Sequence, residues 1–379
     1  MTALVLSIIP AAAVVAAVLT SIVRSVSNRA GAHDSAGVAG QVKAARRRVP
    51  NTGGVAIFWA FAALIGAGLV VVRTAAGGDT DGWLAPLRTH APGLAQRTPE
   101  ALVLLGGALV LHVLGVVDDR RPLGPFIKLG VMALPVALAV AFTGTRLFTF
   151  ADAHAGGPWL SGVLTVVWML VVVNAMNFVD NMDGLSAGVG SVACAALLAV
   201  ALLSGQWFVA ACLAALLGAL VGFLFFNSPP ASIFMGDGGS IVLGFLLAFL
   251  SVRITYAHVP AAAPAMPWHA LLTPLVVLAV PLYDFATVVA IRLRQGRSPF
   301  VGDLQHLSHR LVERGLSRRA AVLVIVGFAG VTGLAGVILS RSDAPGAILV
   351  GAQVLVLLCV IAAIEFAPAD SRLRRGTRP

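Results

Sequence analysis

Aspartates occur in pairs and in glycine-rich segments of a chain in which only 11% of the 379 residues are charged. Asp118 and Asp119 follow an apolar run in LGVVDDRRPLG, Asp180 and Asp183 follow another in NAMNFVDNMDGL, and Asp237 lies in FMGDGGS. Carboxylates are ligands that Mg²⁺ prefers. Glycines before an apolar helix let backbone N–H groups approach a bound anion. Together these segments predict a magnesium site that acts on a phosphorylated substrate.

The spacing within each pair adds a physical constraint. Two carboxylates at a helix C-terminus oppose the negative end of the helix dipole, so Asp118 and Asp119 need a partner, which a divalent metal ion would supply. Asp180 and Asp183 are three residues apart and would share one face of a helical turn. Taken alone, the first pair is typical of a solvated helix end, and the second pair could cap the next helix. The functional interpretation depends on their occurring together.

Apolar blocks occupy most of the chain, which is 59% hydrophobic. Most blocks are long enough to cross a bilayer as helices, because backbone polar groups in lipid must be satisfied within the segment. We therefore predict an all-α, polytopic integral membrane protein with about eleven transmembrane helices in a single domain, residues 1–379. The two short blocks, 159–173 and 241–252, are predicted to extend into their flanking motifs. The blocks are 2–23, 53–72, 101–117, 127–143, 159–173, 186–203, 207–226, 241–252, 269–291, 320–340 and 345–364.

The basic residues predict the orientation. Positive charge follows the first block, at Arg24 and Arg29, so the N-terminus is expected outside and the C-terminus in the cytoplasm. With Lys128 included, the segments then predicted to be cytoplasmic hold 20 of the 26 lysines and arginines. Scattered loop charges do not indicate nucleic-acid binding, and the three cysteines lie in apolar blocks, where no disulfide or metal site is expected. The cytoplasmic segments are 24–52, 118–126, 174–185, 227–240, 292–319 and the tail from 365.

The last of these loops, GDLQHLSHR, is basic and contains two histidines. His306 and His309 are three residues apart, and the loop could bind a pyrophosphate or an acidic lipid headgroup. By itself, the same pattern is typical of an amphipathic turn beside the membrane. The surrounding arginines are Arg292, Arg294, Arg297 and Arg310.

Five segments in order resemble motifs of the polyprenyl-phosphate N-acetylhexosamine-1-phosphate transferases, glycosyltransferase family 4. They are RVPNTGGVAI, GVVDDRRPLGPFIKL, NAMNFVDNMDGLSAG, FNSPPASIFMGDGGSIVLG and RLRQGRSPFVGDLQHLSHRL. The resemblance implies a bacterial inner-membrane enzyme with a cytoplasmic active site. It would transfer a sugar 1-phosphate from a UDP-sugar to a polyprenyl phosphate (undecaprenyl or decaprenyl), releasing UMP. Mg²⁺, or Mn²⁺ in its place, is the implied cofactor, and a homodimer is an expected assembly.

The resemblance also implies roles for individual residues. Asp118 corresponds to the base or to the group that orients the lipid phosphate, and Lys128 to the lysine below the aspartate pair. The magnesium ligands would come from Asp237, Asp119 and Asp180. The nucleotide would contact Asn177, Asp180, Asp183, Asn227 and Phe234, with Phe234 stacked on uracil. Phosphate or sugar would contact Lys128, Arg294, Arg297, His306 and His309. We favour direct attack by the lipid phosphate over a covalent aspartyl intermediate, because phosphoryl transfer needs mainly positioning and charge neutralisation.

The chain departs from these motifs at Asn181, where Gly is usual, at Gly238, where Thr or Ser is usual, and at Ser308, which interrupts a histidine run. The HLSH sequence favours the branch that transfers GlcNAc 1-phosphate and starts cell-envelope polysaccharides. The alternative is the branch that transfers phospho-MurNAc-pentapeptide for peptidoglycan. A secondary transporter is a more distant alternative, since transporters place ionisable residues at mid-membrane within repeats, and no internal repeat is visible here.

Overall fold

Helices are the regular elements throughout the described part of the chain, which confirms the predicted all-α class. The computed structural model describes residues 1–31, 49–77, 82–149, 152, 154, 156–256, 271–300 and 303–366. Residues 32–48 of the predicted loop 24–52, residues 301–302 and the tail from 367 lie outside it. The helices are α1 (Thr2–Arg29), α2 (Gly53–Gly77), a 3₁₀ helix (Gly82–Leu87), α3 (Ala91–Ala95), α4 (Thr98–Arg120), α5 (Pro125–Thr143), α6 (Trp159–Val179), α7 (Leu185–Leu203), α8 (Trp207–Asn227), α9 (Asp237–Tyr256), α10 (Thr273–Val277), α11 (Ala279–Arg294), α12 (Leu307–Glu313), α13 (Arg318–Leu339) and α14 (Ala344–Phe366).

Ten of the described helices are long and apolar enough to cross a membrane. The predicted extension of the two short blocks is confirmed, because α6 continues to Val179 and α9 begins at Asp237. The block 269–291 differs from the prediction, since it forms two helices, α10 and α11, on either side of Leu278. Pro281 explains the break, because it has no N–H to donate to the carbonyl of Val277. Which sides of the membrane the termini occupy remains a prediction.

Helix α9 lies at the centre of the bundle. In the apolar 18-residue stretch of α9, 94% of the residues are buried inside the protein, whereas the corresponding share is 17% for α1 and for α14. Helices α2, α4, α6, α7 and α8 all pack against it. The first residue of α9 is Asp237, so the N-terminus of this central helix brings that aspartate to the ends of several other helices.

Two glycines let the helices around α9 approach at backbone distance. A Cβ atom on Gly115 of α4 would lie 2.4 Å from the carbonyl carbon of Asp237. A Cβ atom on Gly54 of α2 would lie 2.2 Å from the backbone nitrogen of Gly239. A larger residue at either position would push the helices apart. Close backbone contact therefore occurs at the end of the bundle where the aspartate motifs lie.

Large apolar side chains cover the outside of the bundle. Phe126 and Phe142 of α5 are each 74% exposed, and Leu349 of α14 is 72% exposed. Soluble proteins rarely expose such extensive apolar surface. This apolar surface is compatible with the hydrocarbon interior of a bilayer, as expected for helices that span a membrane.

Candidate active site

A lysine joins two carboxylates that come from different helices. Lys128, in the first turn of α5, donates hydrogen bonds from Nζ to Asp118 Oδ2 at 2.8 Å and to Asp237 Oδ2. The backbone N–H of Leu123 donates to Asp118 Oδ1 at 2.6 Å. The ends of α4, α5 and α9 are thereby linked through one ammonium group. The structure therefore brings together Asp118, Lys128 and Asp237, and their roles remain predictions.

Asp119 lies on the other side of the same helix end. Its carboxylate accepts long hydrogen bonds from the N–H groups of Asp237, at 3.3 Å, and Gly238, at 3.4 Å. Asp180 and Asp237 both interact with it electrostatically as like charges. Within the protein, Lys128 pairs with Asp118, and the positive N-terminus of α9 donates two hydrogen bonds to Asp119. The magnesium site remains a prediction.

Asn177 orients Asp237. Its Nδ2 donates to Asp237 Oδ1 at 2.9 Å and to Ser240 Oγ at 2.9 Å. Asn177 is in the last turn of α6, so the extension of this helix beyond its apolar block brings the amide to the start of α9. The sequence places Asn177 near a nucleotide, and in the structure its direct partner is the aspartate.

A second polar group forms where the α6–α7 and α8–α9 connections meet. Asp183 Oδ2 accepts a hydrogen bond from the N–H of Ala231 at 2.9 Å, and Asn227 Oδ1 accepts one from the N–H of Gly184 at 3.0 Å. Asn227 Nδ2 donates to the carbonyl of Ile233 at 2.9 Å. Asp183 and Asn227 therefore lie together, because each side chain accepts a hydrogen bond from the opposite connection, and their contact with a nucleotide remains a prediction.

The prediction that Asp180 and Asp183 share a face of a helical turn is wrong. Helix α6 ends at Val179 and α7 begins at Leu185, so both aspartates lie in the connection. Gly184 has a positive φ of 75°, which a helix does not allow. The left-handed backbone conformation occurs at Gly184. Asn181, which stands where Gly is usual, instead contributes side-chain hydrogen bonds.

Phe234 is held in a backbone strap between two motifs. Its N–H donates to the carbonyl of Pro50 at 2.7 Å, and its carbonyl accepts from the N–H of Gly53 at 2.9 Å. The N–H of Gly54 donates to the carbonyl of Met235 at 2.8 Å. The PNTGG segment is therefore fixed against the loop that leads into α9, and the half-buried Phe234 ring lies at that junction.

His306 is positioned by a buried carboxylate. Its Nδ1 lies 2.9 Å from Asp284 Oδ2, and the N–H of Leu307 donates to Asp284 Oδ1 at 2.6 Å. Asp284 is only 3% exposed and lies on α11. The His309 ring lies 6.5 Å from the His306 ring, measured between centroids. The two predicted histidines are therefore neighbours, and α12 begins where the first of them is held.

The four arginines of this loop divide into two kinds. Arg292 is 2% exposed and makes a two-point contact with Asp303, at 3.0 and 3.2 Å. Arg310 is also buried. Arg294 and Arg297 are exposed, and in the part of the chain that the structure describes neither pairs with the aspartates above. Their predicted role in binding phosphate or sugar remains a prediction.

Sequence reasoning missed three supporting residues. Asp284 was not among the predicted site residues, although a carboxylate inside an apolar block was a usable signal. Glu365 is 2% exposed and accepts hydrogen bonds from Arg310, at 2.8 and 3.0 Å, and from the Tyr283 hydroxyl at 2.5 Å. His112 Nδ1 lies 2.8 Å from the carbonyl of Gly238, at the start of α9. A single glutamate or histidine in an apolar helix has no spacing pattern that would reveal its partner.

Two of the positions at which the sequence departs from the motifs it resembles contact each other. The Ser308 hydroxyl donates to Asn181 Oδ1 at 2.5 Å, and Asn181 Nδ2 donates to the carbonyl of Phe178 at 2.6 Å. This contact joins the connection that carries Asp180 and Asp183 to the loop that carries the histidines. The substitutions at Asn181 and Ser308 therefore form one structural unit.

This contact predicts non-additive effects. We expect Ser308→Ala and Asn181→Ala each to lower kcat/KM, and the double variant to lose little more than either single variant. Because both changes remove one hydrogen bond, the coupling energy should be about 0.5–1.5 kcal/mol. Steady-state kinetics on the four proteins of the cycle measures it. Strictly additive losses would show that the two loops act independently.

The pKa of His309 predicts how stability depends on pH. Burial lowers this pKa to about 4, and the nearby His306 and Arg318 act in the same direction, against the opposing effect of Asp284 and Asp303. The unfolded chain therefore binds a proton at this residue at higher pH than the folded protein does, so folding stability must fall as pH drops from about 6.5 towards about 4.

We expect His309→Gln to weaken this acid dependence. Melting temperatures of the detergent-solubilised protein, measured between pH 7 and pH 4.5, should fall less in the variant than in the unsubstituted protein. The comparison is needed because other groups titrate in the same range. Asp303 acts at lower pH: burial raises its pKa, but hydrogen bonds from Arg292 and the Gln305 N–H outweigh burial and lower the pKa below its ordinary value of 3.8. Parallel pH curves would contradict the assignment to His309.

Comparison with known proteins gives a consistent result. Residues 101–255 match the model of glycosyl transferase family 4. The chain is 32% identical over 282 residues to the decaprenyl-phosphate N-acetylglucosaminephosphotransferase of Mycobacterium tuberculosis, covering 69% of this chain and 70% of the relative. It is 31% identical over 244 residues to a probable undecaprenyl-phosphate N-acetylglucosaminyl 1-phosphate transferase of Bacillus subtilis, covering 63% and 66%.

A further relative is the undecaprenyl-phosphate alpha-N-acetylglucosaminyl 1-phosphate transferase of Yersinia pestis, which is 30% identical over 256 residues, covering 65% of this chain and 68% of the relative. The chain thus spans about two thirds of the length of each of these relatives. The region that matches the family model contains Asp118, Asp119, Asp180, Asp183 and Asp237. This chain belongs to glycosyl transferase family 4.

Proposed function

We propose that this membrane protein transfers an N-acetylhexosamine 1-phosphate, GlcNAc 1-phosphate, from a UDP-sugar to a polyprenyl phosphate. The products are UMP and a polyprenyl-diphosphate sugar, the first lipid intermediate of a cell-envelope polymer. One observation carries the proposal: Asp118, Lys128 and Asp237 converge from three separate helices in a chain of this family. The names of the relatives, which are polyprenyl-phosphate GlcNAc-1-phosphate transferases, support the choice of substrates.

The proposed reaction is a direct phosphoryl transfer. An oxygen of the polyprenyl phosphate forms a bond to the β-phosphorus of the UDP-sugar, and the bond between that phosphorus and the bridging oxygen breaks. UMP leaves with the bonding electrons. Asp118 accepts the proton of the attacking phosphate, or a hydrogen bond that orients it, at Oδ1 or Oδ2. Lys128 keeps Asp118 and Asp237 in place with one positive charge between them.

The carboxylates suit a magnesium ion. Among the described residues no three His, Cys, Asp or Glu side chains form a ready-made metal site. Mg²⁺ does not require one, since it usually binds one or two carboxylates and completes its shell with water and substrate phosphate. Asp237 and Asp119, with Asp180 nearby, would hold it; the Asp119 bonds to backbone N–H groups are long at 3.3 and 3.4 Å. When bound, the ion would neutralise charge on the diphosphate, and Mn²⁺ would substitute.

The nucleotide and the sugar would be bound by two different groups of residues, which form two walls of the site. The junction formed by Asp183, Asn227 and Phe234 offers a half-buried aromatic ring beside polar groups, which suits a uracil base. The loop carrying His306 and His309, with the exposed Arg294 and Arg297 at its start, would face the diphosphate or the sugar. Because the Asn181–Ser308 contact joins these walls, binding at one should affect the other.

The bilayer setting follows from the lipid substrate. The site lies at the ends of membrane helices, where a polyprenyl phosphate would present its headgroup. The distribution of 20 of the 26 lysines and arginines supports an active site on the cytoplasmic face of the bacterial inner membrane. UDP-sugars are made in the cytoplasm, so they would reach the site from that side. A homodimer remains an expectation.

A purified-protein assay tests the proposal. UMP release should require a UDP-sugar, polyprenyl phosphate and Mg²⁺, and chelation of the metal should abolish it. UDP-GlcNAc should be used and UDP-MurNAc-pentapeptide should not; the reverse preference would assign the protein to the peptidoglycan branch. Absence of UMP release with either sugar, under conditions in which a related enzyme is active, would reject the transferase function.

A further inference from the structure

We infer that Asn51 forms a binding subsite for a phosphate group, in a cleft beside Asp119. This inference rests on the proposed function and deepens it, since both proposed substrates carry phosphate. The cleft measures about 210 Å³ with its open mouth included, and its lining includes Asn51, Thr52, Val116, Asp119 and Arg120. Of these residues, sequence reasoning selected only Asp119 for the site.

The Asn51 side chain is buried without a hydrogen-bond partner. It is only 4% exposed, and in the described part of the chain neither its Nδ2 nor its Oδ1 has a partner. Leaving a buried polar group unpaired is costly, which favours a partner from outside the protein for this amide. The residue lies at the edge of a cleft, which is where a ligand could do so.

The backbone around Asn51 is held too firmly for the side chain to find a partner by relaxing. Hydrogen bonds on both sides of this residue connect it to the strap: the preceding Pro50 carbonyl accepts from the Phe234 N–H at 2.7 Å, and the N–H of Gly53, two residues after Asn51, donates to the Phe234 carbonyl at 2.9 Å. A Cβ atom on Gly236 would lie 2.3 Å from the Asn51 carbonyl oxygen and 2.6 Å from Asp119 Oδ2. Asn51 and Asp119 thus flank the same glycine.

The electrostatic surroundings favour an anion. The positive N-termini of two long helices meet at this cleft, since Gly54 of α2 contacts Gly238 and Gly239 of α9. Arg120 is also among the lining residues. Of the opposing charges, Asp119 already accepts two backbone N–H groups, Asp237 is paired with Lys128, and Asp180 lies close enough to interact with Asp119 electrostatically. An amide Nδ2 donor at this position would therefore bind a phosphoryl oxygen, from either the polyprenyl phosphate or the diphosphate of the UDP-sugar.

Asn51→Leu separates this role from a structural one. The change keeps similar volume and removes the unpaired group, so without substrate the melting temperature should stay the same or rise. The KM for one phosphate substrate should increase about 10- to 100-fold, as expected for losing a hydrogen bond to a charged group. A rise for polyprenyl phosphate assigns the subsite to the lipid, and a rise for the UDP-sugar assigns it to the diphosphate. Asn28→Leu, at an exposed position on α1, is the control and should change neither KM.

A second measurement does not depend on turnover. The unsubstituted protein should gain melting temperature when polyprenyl phosphate or UDP-GlcNAc is added, and Asn51→Leu should lose this gain for one of them. Asn51→Ala serves the same tests if the leucine variant does not fold. Unchanged KM values and an unchanged ligand-induced gain would reject the subsite while leaving the transferase function intact. Failure of the unsubstituted protein to release UMP would instead reject the transferase function.

Discussion

Asp237→Asn should reduce UMP release by about 10³-fold or more. Asp237 is the first residue of the central helix, and its carboxylate contacts both Lys128 and Asn177. Asparagine keeps the shape of the side chain but removes the charge on which magnesium binding and the orientation of Lys128 would depend. Loss of one preorganised electrostatic group in an active site typically costs 10²–10³-fold in rate, and loss of a metal ligand adds to that.

The variant must remain folded for this result to be informative. Asp118→Asn, which alters the other carboxylate beside Lys128, should show a loss of similar size. Asp343→Asn is the matched control, because Asp343 lies in an exposed turn before α14, where its side chain accepts only a local hydrogen bond from the Gly346 N–H. Its rate should stay within about twofold of the unsubstituted protein, as expected for an exposed change. Near-normal turnover in Asp237→Asn, with an unchanged melting temperature, would show that the site has been misassigned.

Lys128→Met should destabilise the protein by about 3–5 kcal/mol and abolish turnover. The side chains of Lys128, Asp118 and Asp237 are only 17%, 12% and 27% exposed. Removing the ammonium leaves two partly buried carboxylates facing each other, and uncompensated buried charge carries a penalty of this size. Unfolding in detergent, followed by denaturant titration or melting, measures the loss.

Added Mg²⁺ should restore part of this stability. A divalent ion can occupy the space between the carboxylates that the ammonium vacates, so the melting temperature of Lys128→Met should rise more with Mg²⁺ than that of the unsubstituted protein. Arg294→Met, which removes an exposed cation at the end of α11, should change stability by less than about 0.5 kcal/mol. An equal response to Mg²⁺ in Lys128→Met and in the unsubstituted protein would argue against metal binding at these carboxylates.

The aspartate motifs also show which contacts the sequence does not predict. From the sequence, Asp118 and Asp119 are predicted to need a compensating partner, for which a metal ion is suggested. In the structure, Asp118 contacts Lys128 and Asp119 accepts hydrogen bonds at the N-terminus of α9, and the metal ion remains a prediction. Lys128 follows the pair within the same sequence motif, whereas Asp237 at the start of α9 is 118 residues from Asp119, too far along the chain for short-range spacing to reveal the contact.

The position of each helix was determined locally. An apolar block must form a helix in lipid, because its backbone polar groups have no hydrogen-bond partner outside the segment. This rule predicted every long helix, including the extensions of α6 and α9 into their motifs. The break at Leu278 shows its limit. Hydrophobicity continues through the block 269–291, but the missing N–H of Pro281 interrupts the helix, which composition alone does not register.

The sequence by itself determined the helical membrane class, the order of the motifs and the residue types able to bind Mg²⁺ and phosphate, because these follow from composition and short-range spacing. Only the tertiary structure decided which residues come together: Asn177 with Asp237, Asn181 with Ser308, and Asn51 with Asp119 in the lining of one cleft. The physical reason is that such contacts depend on how closely helices pack. Here glycines such as Gly54 and Gly115 set that distance, and it joins residues that are far apart in the chain.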